Sequence, residues 1–277
     1  MYRVSKVLNN NGVIAIDMDE NKEYVILGKG VGFGKKVSQR FDKPEGCTTY
    51  RLEQETERGS AKELVKGIEP EYLEIADAIL TESQKVFGDS IDRGILFPLA
   101  DHISFAVARI RRNEQISNPL KEDIKVLFYS EFKVAETLKT ILRERLQIEI
   151  DDHEVGYVAL HIHSAIGDEK VSVAMQTARA VRECIDMIEK ATGKPIDVLS
   201  LSYNRLMNHM KYMVARASTG EKLNLDMNEY MLDQYPQAYK VATDICKNLE
   251  GCIGHNLDET ETGYLAMHIQ RVYKDAV

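Results

Sequence analysis

Long apolar runs are missing from this chain. None approaches the roughly 20 residues a membrane-spanning helix needs, so no stable membrane insertion is expected. The amino-terminal MYRVSKVLNNN lacks an apolar h-region, which argues against secretion and for a cytoplasmic protein. Cysteine is scarce. Cys47, Cys184, Cys246 and Cys252 include no C-x-x-C pair, which argues against a disulfide or zinc framework and fits scattered cytosolic thiols. Net positive charge is missing too, since 36 Lys+Arg face 44 Asp+Glu. An evenly spread charge of −8 would argue against nucleic acid as a partner. The spread is uneven. Residues 1–40 hold seven basic and four acidic side chains, and the remainder holds 29 and 40. A small basic head on an acidic body points to two different partners.

What is present fits one to three domains, because 277 residues with 44% apolar side chains can bury sizeable cores. The head reads as β structure. Short β-prone runs at Val4–Leu8, Val13–Asp17 and Glu23–Leu27 are separated by turns at 9–12 and 19–21, and a fourth strand is expected near Thr48–Leu52. Such a piece buries little core alone, so dimerisation is plausible on size grounds. Residues 53–62, EQETERGSAK, form a polar linker candidate. From about residue 70 onward the apolar spacing is helical.

The helical part repeats itself. HISFAVAR at His102–Arg109 matches HMKYMVAR at His209–Arg216. FKVA at Phe132–Ala135 matches YKVA at Tyr239–Ala242, and EVGYVALHI at Glu154–Ile162 matches ETGYLAMHI at Glu261–Ile269. All three share an offset of 107 residues, while GDSID at Gly88–Asp92 matches GKPID at Gly193–Asp197 at offset 105. The repeat filters the seven histidines: His102 pairs with His209 and His161 with His268, whereas His153, His163 and His255 meet Thr260, Gln270 and Ile148. Each first histidine shares a helix face with an arginine seven residues on, Arg109 or Arg216. Asp151-x-x-Glu154 and Asp258-x-x-Glu261 resemble capping boxes that open the second histidine helices.

Imidazole is partly unprotonated near neutral pH and can accept a phosphoryl group, which a neighbouring arginine can bind. Two other readings of the histidines stand beside this one: packing residues kept by duplication, or ligands of zinc or iron. Neither copy has an H-E-x-x-H spacing. The glycine-rich LGKGVGFGKK at Leu27–Lys36 fits neither a P-loop nor a dinucleotide-binding turn. It reads either as a twisted β-loop or as an RNA-binding loop. For RNA, Phe33 offers a stacking surface, Lys29, Lys35 and Lys36 offer phosphate contacts, and Asn9–Asn11 offer amides for base edges.

KVLNNNGVIAI followed by LGKGVGFGKK resembles the co-antiterminator (CAT) RNA-binding domain of the BglG/SacY/LicT transcriptional antiterminators. The duplicated body with H-x6-R and E-x-G-Y-x-A-x-H-I-like motifs resembles that family's paired PTS regulation domains (PRDs). The resemblance covers essentially the whole chain in order. It implies a multidomain fold: a small antiparallel four-stranded β RNA-binding domain at 1–58, then two homologous all-α helical-bundle domains at 62–170 and 171–277. It implies a homodimeric regulator without catalytic residues, metal or cofactor, whose partner is an antiterminator hairpin in a leader mRNA of sugar-uptake or sugar-use genes. RNA contacts would fall on Lys6, Asn11, Gly28, Lys29 and Phe33. Several relatives carry arginine where this chain has Lys29, so the planar fork and its stacking are missing here. HPr and a sugar-specific enzyme II of the phosphotransferase system would phosphorylate His102, His161, His209 and His268, with Arg109 and Arg216 supporting the phosphates. In many relatives enzyme II acting on the first PRD inactivates and HPr acting on the second activates. The GFGKK loop and ALHIHSA resemble the glucose-type branch. Two alternatives are a PRD transcription factor with a different DNA- or protein-binding head, against which the lack of a helix-turn-helix pattern counts, and a metal-dependent helical enzyme.

Overall fold

A computed structural model describes residues 1–53, 55–56, 59–114, 116–167, 170–193, 195–197 and 200–275. The head is one antiparallel sheet of β1 (Tyr2–Asn9), β2 (Gly12–Asp17), β3 (Lys22–Leu27), β4 (Arg40–Phe41) and β5 (Thr48–Arg51). The spatial order is β4-β1-β2-β3-β5. The four expected strands form, and the two-residue β4 extends the sheet beside β1, pairing Tyr2 with Phe41. So short a strand has no period-2 pattern to read in advance. Alternation along β2 and β3 puts Val13, Ala15 and Ile26 on one buried face with Val31 and Cys47, and Tyr2, Val7, Tyr24 and Phe41 close its margin. The hairpin registers Asn9 opposite Gly12 and Val13 opposite Ile26.

Within the expected linker, β6 (Glu55–Thr56) and β7 (Gly59–Ser60) pair and lead into α1 (Ala61–Gly67). Gln54, Glu57 and Arg58 of that stretch lie outside the described residues, as does Lys194 of the GKPID match. Chain packing forms two compact units, Met1–Asn118 with Ser130–Lys170, and Pro119–Tyr129 with Val171–Val277. In the first, α2 (Pro70–Phe87) starts on a proline preset for a helical first turn and ends at Gly88 with φ +70°. It buries Leu73, Ile75, Ala76, Ile79 and Leu80 and packs on α3 (Leu96–Arg111). The helix α7 (Asp152–Gly167) also packs on α3.

The duplication is visible in the elements. The first copy supplies α2, α3, α4 (Lys121–Leu127), α5 (Tyr129–Ala135), α6 (Thr137–Leu146) and α7. The second supplies α8 (Val171–Thr192), α9 (Leu201–Thr219), α10 (Asn228–Gln234), α11 (Pro236–Ile253) and α12 (Glu261–Asp275). Adding the 107-residue offset takes α4 onto α10, and takes α5 plus α6 onto the single helix α11. The copies differ in packing. The α10 helix lies on α11 and α12 of its own copy, whereas α4 lies on α8 and α9. There the buried Asp123 carboxylate accepts a hydrogen bond from the Tyr203 hydroxyl at 3.2 Å.

The glycine of the ETGY motif now has a physical reason. A Cβ at Gly263 would lie 2.7 Å from the Met227 carbonyl carbon and 2.8 Å from the Asn228 amide nitrogen, at the start of α10. Backbone cannot yield as a flexible side chain can. Gly263→Ala is therefore expected to destabilise the second unit by about 1–3 kcal/mol despite the better helix propensity of alanine. Urea unfolding of the variant checks this, and a gain in stability would refute the packing argument.

Candidate functional site

In the first helical copy α3 presents His102 and Arg109 to α7, which carries Glu154 and His161. The His102 and His161 rings lie 5.3 Å apart, centroid to centroid. His102, Glu154 and His161 are all buried. Arg109 donates to Glu154 Oε1 at 2.8 Å, and His102 Nε2 faces Glu154 Oε2 at 3.5 Å, the outer limit of a hydrogen bond. Burial alone would raise the Glu154 pKa. The contacts from His102 and Arg109 outweigh it and hold the carboxyl below its ordinary value.

The second copy rebuilds this arrangement with its own residues. The His209 and His268 rings stack at 4.8 Å with planes 25° apart. Arg216 grips Glu261 with two hydrogen bonds, at 2.6 and 2.9 Å, and His209 Nε2 lies 3.7 Å from Glu261 Oε2. Burial, then the neighbouring His268 and Arg216, push the His209 pKa down to about 3. Burial, with Arg271 and Arg205, pushes that of His268 down to about 4. Both rings are neutral at physiological pH, the form that carries a free nitrogen lone pair. His102 Nε2, His209 Nε2 and His268 Nδ1 are buried with no hydrogen-bond partner among the described residues.

A tyrosine flanks each pair, Tyr157 at 5.9 Å from the His102 ring and Tyr264 at 6.2 Å from the His209 ring. The motif EVGY/ETGY thus delivers a carboxylate and an aromatic ring to the same site. The capping-box expectation holds only for its aspartate half. Asp151 accepts from the His153 and Glu154 amides and Asp258 from the Thr260 amide. The glutamate of each motif turns inward to arginine and histidine instead. Its role went unread because local spacing describes the helix end but not the residues that come from another helix. The signal was available: both glutamates sit seven residues before a matched histidine, on the same helix face.

The unmatched histidines are placed elsewhere. His163 Nδ1 lies 2.9 Å from Glu131, the Asn118 amide donates to His153 Nδ1 at 3.0 Å, and His255 is exposed.

On the head, the Asn9–Gly12 turn and the glycine loop are bonded together. The amides of Gly28 and Gly32 donate to the carbonyls of Asn11 and Asn10, and the Gly30 amide donates to Asn11 Oδ1. A Cβ at Gly28 would collide with Cys47 Sγ, and one at Gly32 with the Asn9 carbonyl. Gly28 is therefore required by packing. Phe33 projects into solvent with 75% of its surface exposed. Lys6 and Lys29 are exposed and have no acidic partner within ion-pair distance among the described residues. Lys35 instead sits over the Phe41 ring, 4.9 Å from its centroid.

A β head followed by duplicated helical modules, each with a histidine pair that is buried in the first copy and half-buried in the second, is the architecture of a two-part regulator. The comparisons with known proteins narrow it. The CAT RNA binding domain matches residues 2–59, and the PRD domain matches twice, at 77–165 and 182–272. The chain is 30% identical over 274 residues to the GlcA/glcB genes antiterminator of Staphylococcus carnosus, covering 97% of this chain and 94% of that one. It is 27% identical to the transcription antiterminator LicT of Bacillus subtilis, covering 99% and 100%. The crystal structure of GlcT CAT-PRDI superposes with a TM-score of 0.52 at 29% identity, over 60% of this chain and 98% of that one. The chain belongs to the CAT–PRD family of RNA-binding transcriptional antiterminators, whose regulation domains answer to phosphorylation by the phosphotransferase system. Relatives named GlcT support its place in the glucose-type branch.

The neutral histidines set a pH dependence. Above the ordinary value of 6.5 neither folded nor unfolded chain binds protons at His209 or His268, and their contribution to stability is complete. As pH falls below that value the unfolded chain takes up protons that the folded one refuses. Stability is then lost down to about 3 to 4, by up to about 1.4 kcal/mol per pH unit per ring. A His209→Gln, His268→Gln double variant is expected to show a flatter curve of unfolding free energy against pH over that window. An unchanged slope in urea titrations would contradict the assignment of neutral rings.

Proposed function

We propose that the chain works as a homodimeric cytoplasmic antiterminator and not as an enzyme. In this reading residues 1–58 bind an antiterminator hairpin in a leader mRNA, 62–170 form the first PRD and 171–277 the second. Lys6 and Lys29 meet phosphates, Asn11 reads a base edge, Phe33 stacks on an unpaired base, and Gly28 lets the backbone approach. His102, His161, His209 and His268 accept phosphoryl groups from HPr and a sugar-specific enzyme II. Arg109 and Arg216 hold the phosphates once Glu154 and Glu261 let go of them. The observation that carries the reading is the paired site itself: two adjacent rings, buried in the first copy and half-buried in the second, with one carboxylate and one arginine, built twice from residues 107 apart. Packing histidines kept by duplication would not need an unpartnered buried ring nitrogen in both copies. No helix among the described residues is long and apolar enough to cross a membrane.

Two experiments test this. The full chain is expected to bind an RNA stem with internal loops far more tightly than double-stranded DNA of equal length. Phe33→Ala should weaken that binding by 1–3 kcal/mol of lost stacking, which is roughly 5- to 150-fold. Equal, purely salt-dependent affinity for both nucleic acids would sink the RNA assignment. Incubation with phosphorylated HPr or an enzyme IIB domain should label the chain with acid-labile phosphate. The His102, His161, His209, His268 quadruple alanine variant should take up none, and persistent labelling would remove these residues from the reaction.

A further inference from the structure

The head carries a two-donor site whose occupant comes from the first helical domain. Asn9 and Asn11 flank the tip of the β1–β2 hairpin, and both side-chain amides are held in one orientation by backbone donors. The Asn11 amide N–H donates to Asn9 Oδ1 at 2.8 Å, and the Gly30 N–H donates to Asn11 Oδ1 at 3.0 Å. With both oxygens engaged, both Nδ2 groups point outward to one place. There they meet the carboxylate of Glu74, on α2. Asn9 Nδ2 donates to Oε1 at 2.7 Å, and Asn11 Nδ2 donates to Oε2 at 3.1 Å. Arg145 lies 3.5 Å from the same Oε2. One helical turn further along α2, Asp77 accepts from the Tyr50 hydroxyl of the head and from Arg93 at 2.9 Å. The Glu74 side chain is only 17% exposed, so solvent reaches little of this contact.

A carboxylate presents two acceptor oxygens at a fixed separation. So does a phosphodiester, and a base edge presents similar acceptors. We infer that Glu74 is an internal ligand of the RNA-reading face: α2 and RNA compete for the amides of Asn9 and Asn11, so the head binds RNA fully only when it leaves α2. The inference rests on the RNA-binding reading above and adds to it the competitor and a second reading residue, Asn9. Glu74 also excludes RNA by charge, since a phosphate brought to the amides would face a half-buried carboxylate. Reciprocity follows: whatever holds the head on α2 weakens RNA binding, and RNA loosens the head from α2 to the same extent.

The test uses the full chain and an RNA hairpin with two internal loops, selected from a randomised pool for saturable binding to this protein. Glu74→Ala is expected to tighten that RNA about tenfold at fixed salt. The near-isosteric Glu74→Gln keeps the packing, removes the charge and leaves one acceptor, and should shift affinity in the same direction by a smaller factor. In the wild type, RNA is expected to raise amide hydrogen exchange in the first turns of α2, and this readout does not depend on any variant folding. Unchanged or weaker RNA binding in both variants, or no change in α2 exchange on adding RNA, would overturn the competition. If the wild type binds the hairpin saturably and Phe33→Ala weakens that as expected above, while Glu74→Gln changes nothing, this inference alone fails. If no RNA binds saturably, the RNA-binding reading fails and takes the inference with it.

Discussion

Each paired-histidine site depends on one buried carboxylate. Glu154 and Glu261 are nearly inaccessible, and a buried carboxylate is tolerable only when paired. Each is paired by an arginine from the preceding histidine helix, α3 or α9, and that ion pair ties α3 to α7 and α9 to α12 across 45 residues of sequence. The same carboxylate faces the first histidine of its pair. Because the arginine is neutralised by the glutamate, the histidine rings sit in a weak positive field and burial dominates them. His209 and His268 are therefore held neutral chiefly by burial, and the nearby Arg216, Arg205 and Arg271 push in the same direction. A phosphoryl group placed on either ring would bring two negative charges to a site that already holds one. The arginine cannot bind both anions at full strength. Phosphorylation in this geometry therefore demands that the glutamate and the phosphate exchange places, which strains the ion pair that joins the helices.

The copies share this site and differ around it. In the second, α11 is one helix and α10 packs beside it on α12, so tightly that Gly263 is obligatory. In the first, the equivalent of α11 is divided into α5 and α6, and the equivalent of α10 packs on α8 and α9. Asp123 becomes buried there against Tyr203, with its pKa raised by burial. Its counterpart at offset 107 is the exposed Tyr230. The divergence is thus at the edge of the module, where a short helix can change partners, and not among the histidines, where the arginine–glutamate pair recurs in both copies.

Much of this was legible because duplication is self-annotating. The offset of 107 residues separated four histidines from three, and the geometry brings those four together in two pairs. The sheet was readable from β-prone runs and the turns at 9–12 and 19–21, except for the two-residue β4. Three things were not legible. The inward turn of Glu154 and Glu261 depends on α3 and α9, which no local spacing near α7 or α12 describes. The packing of α4 on α8 and α9 contradicts what the repeat alone suggests. The Glu74 contact joins residues 65 apart that belong to different structural classes. Local pattern reports which face of an element is apolar. It does not report which distant polar group will meet an exposed amide.

Helix α2 stands between the head and the first histidine pair. Its buried face packs on α3, the helix of His102 and Arg109. Its polar face offers Glu74 and Asp77 to the head. A packed helix interface moves by discrete repacking rather than by continuous bending. A displacement of α3 large enough to part Arg109 from Glu154 therefore cannot be absorbed inside the α2–α3 contact without moving α2. Glu74 and Asp77 make their contacts to the head through hydrogen bonds of fixed length, which fail over less than an ångström. The first histidine pair and the grip on the head are therefore bound to one rigid element.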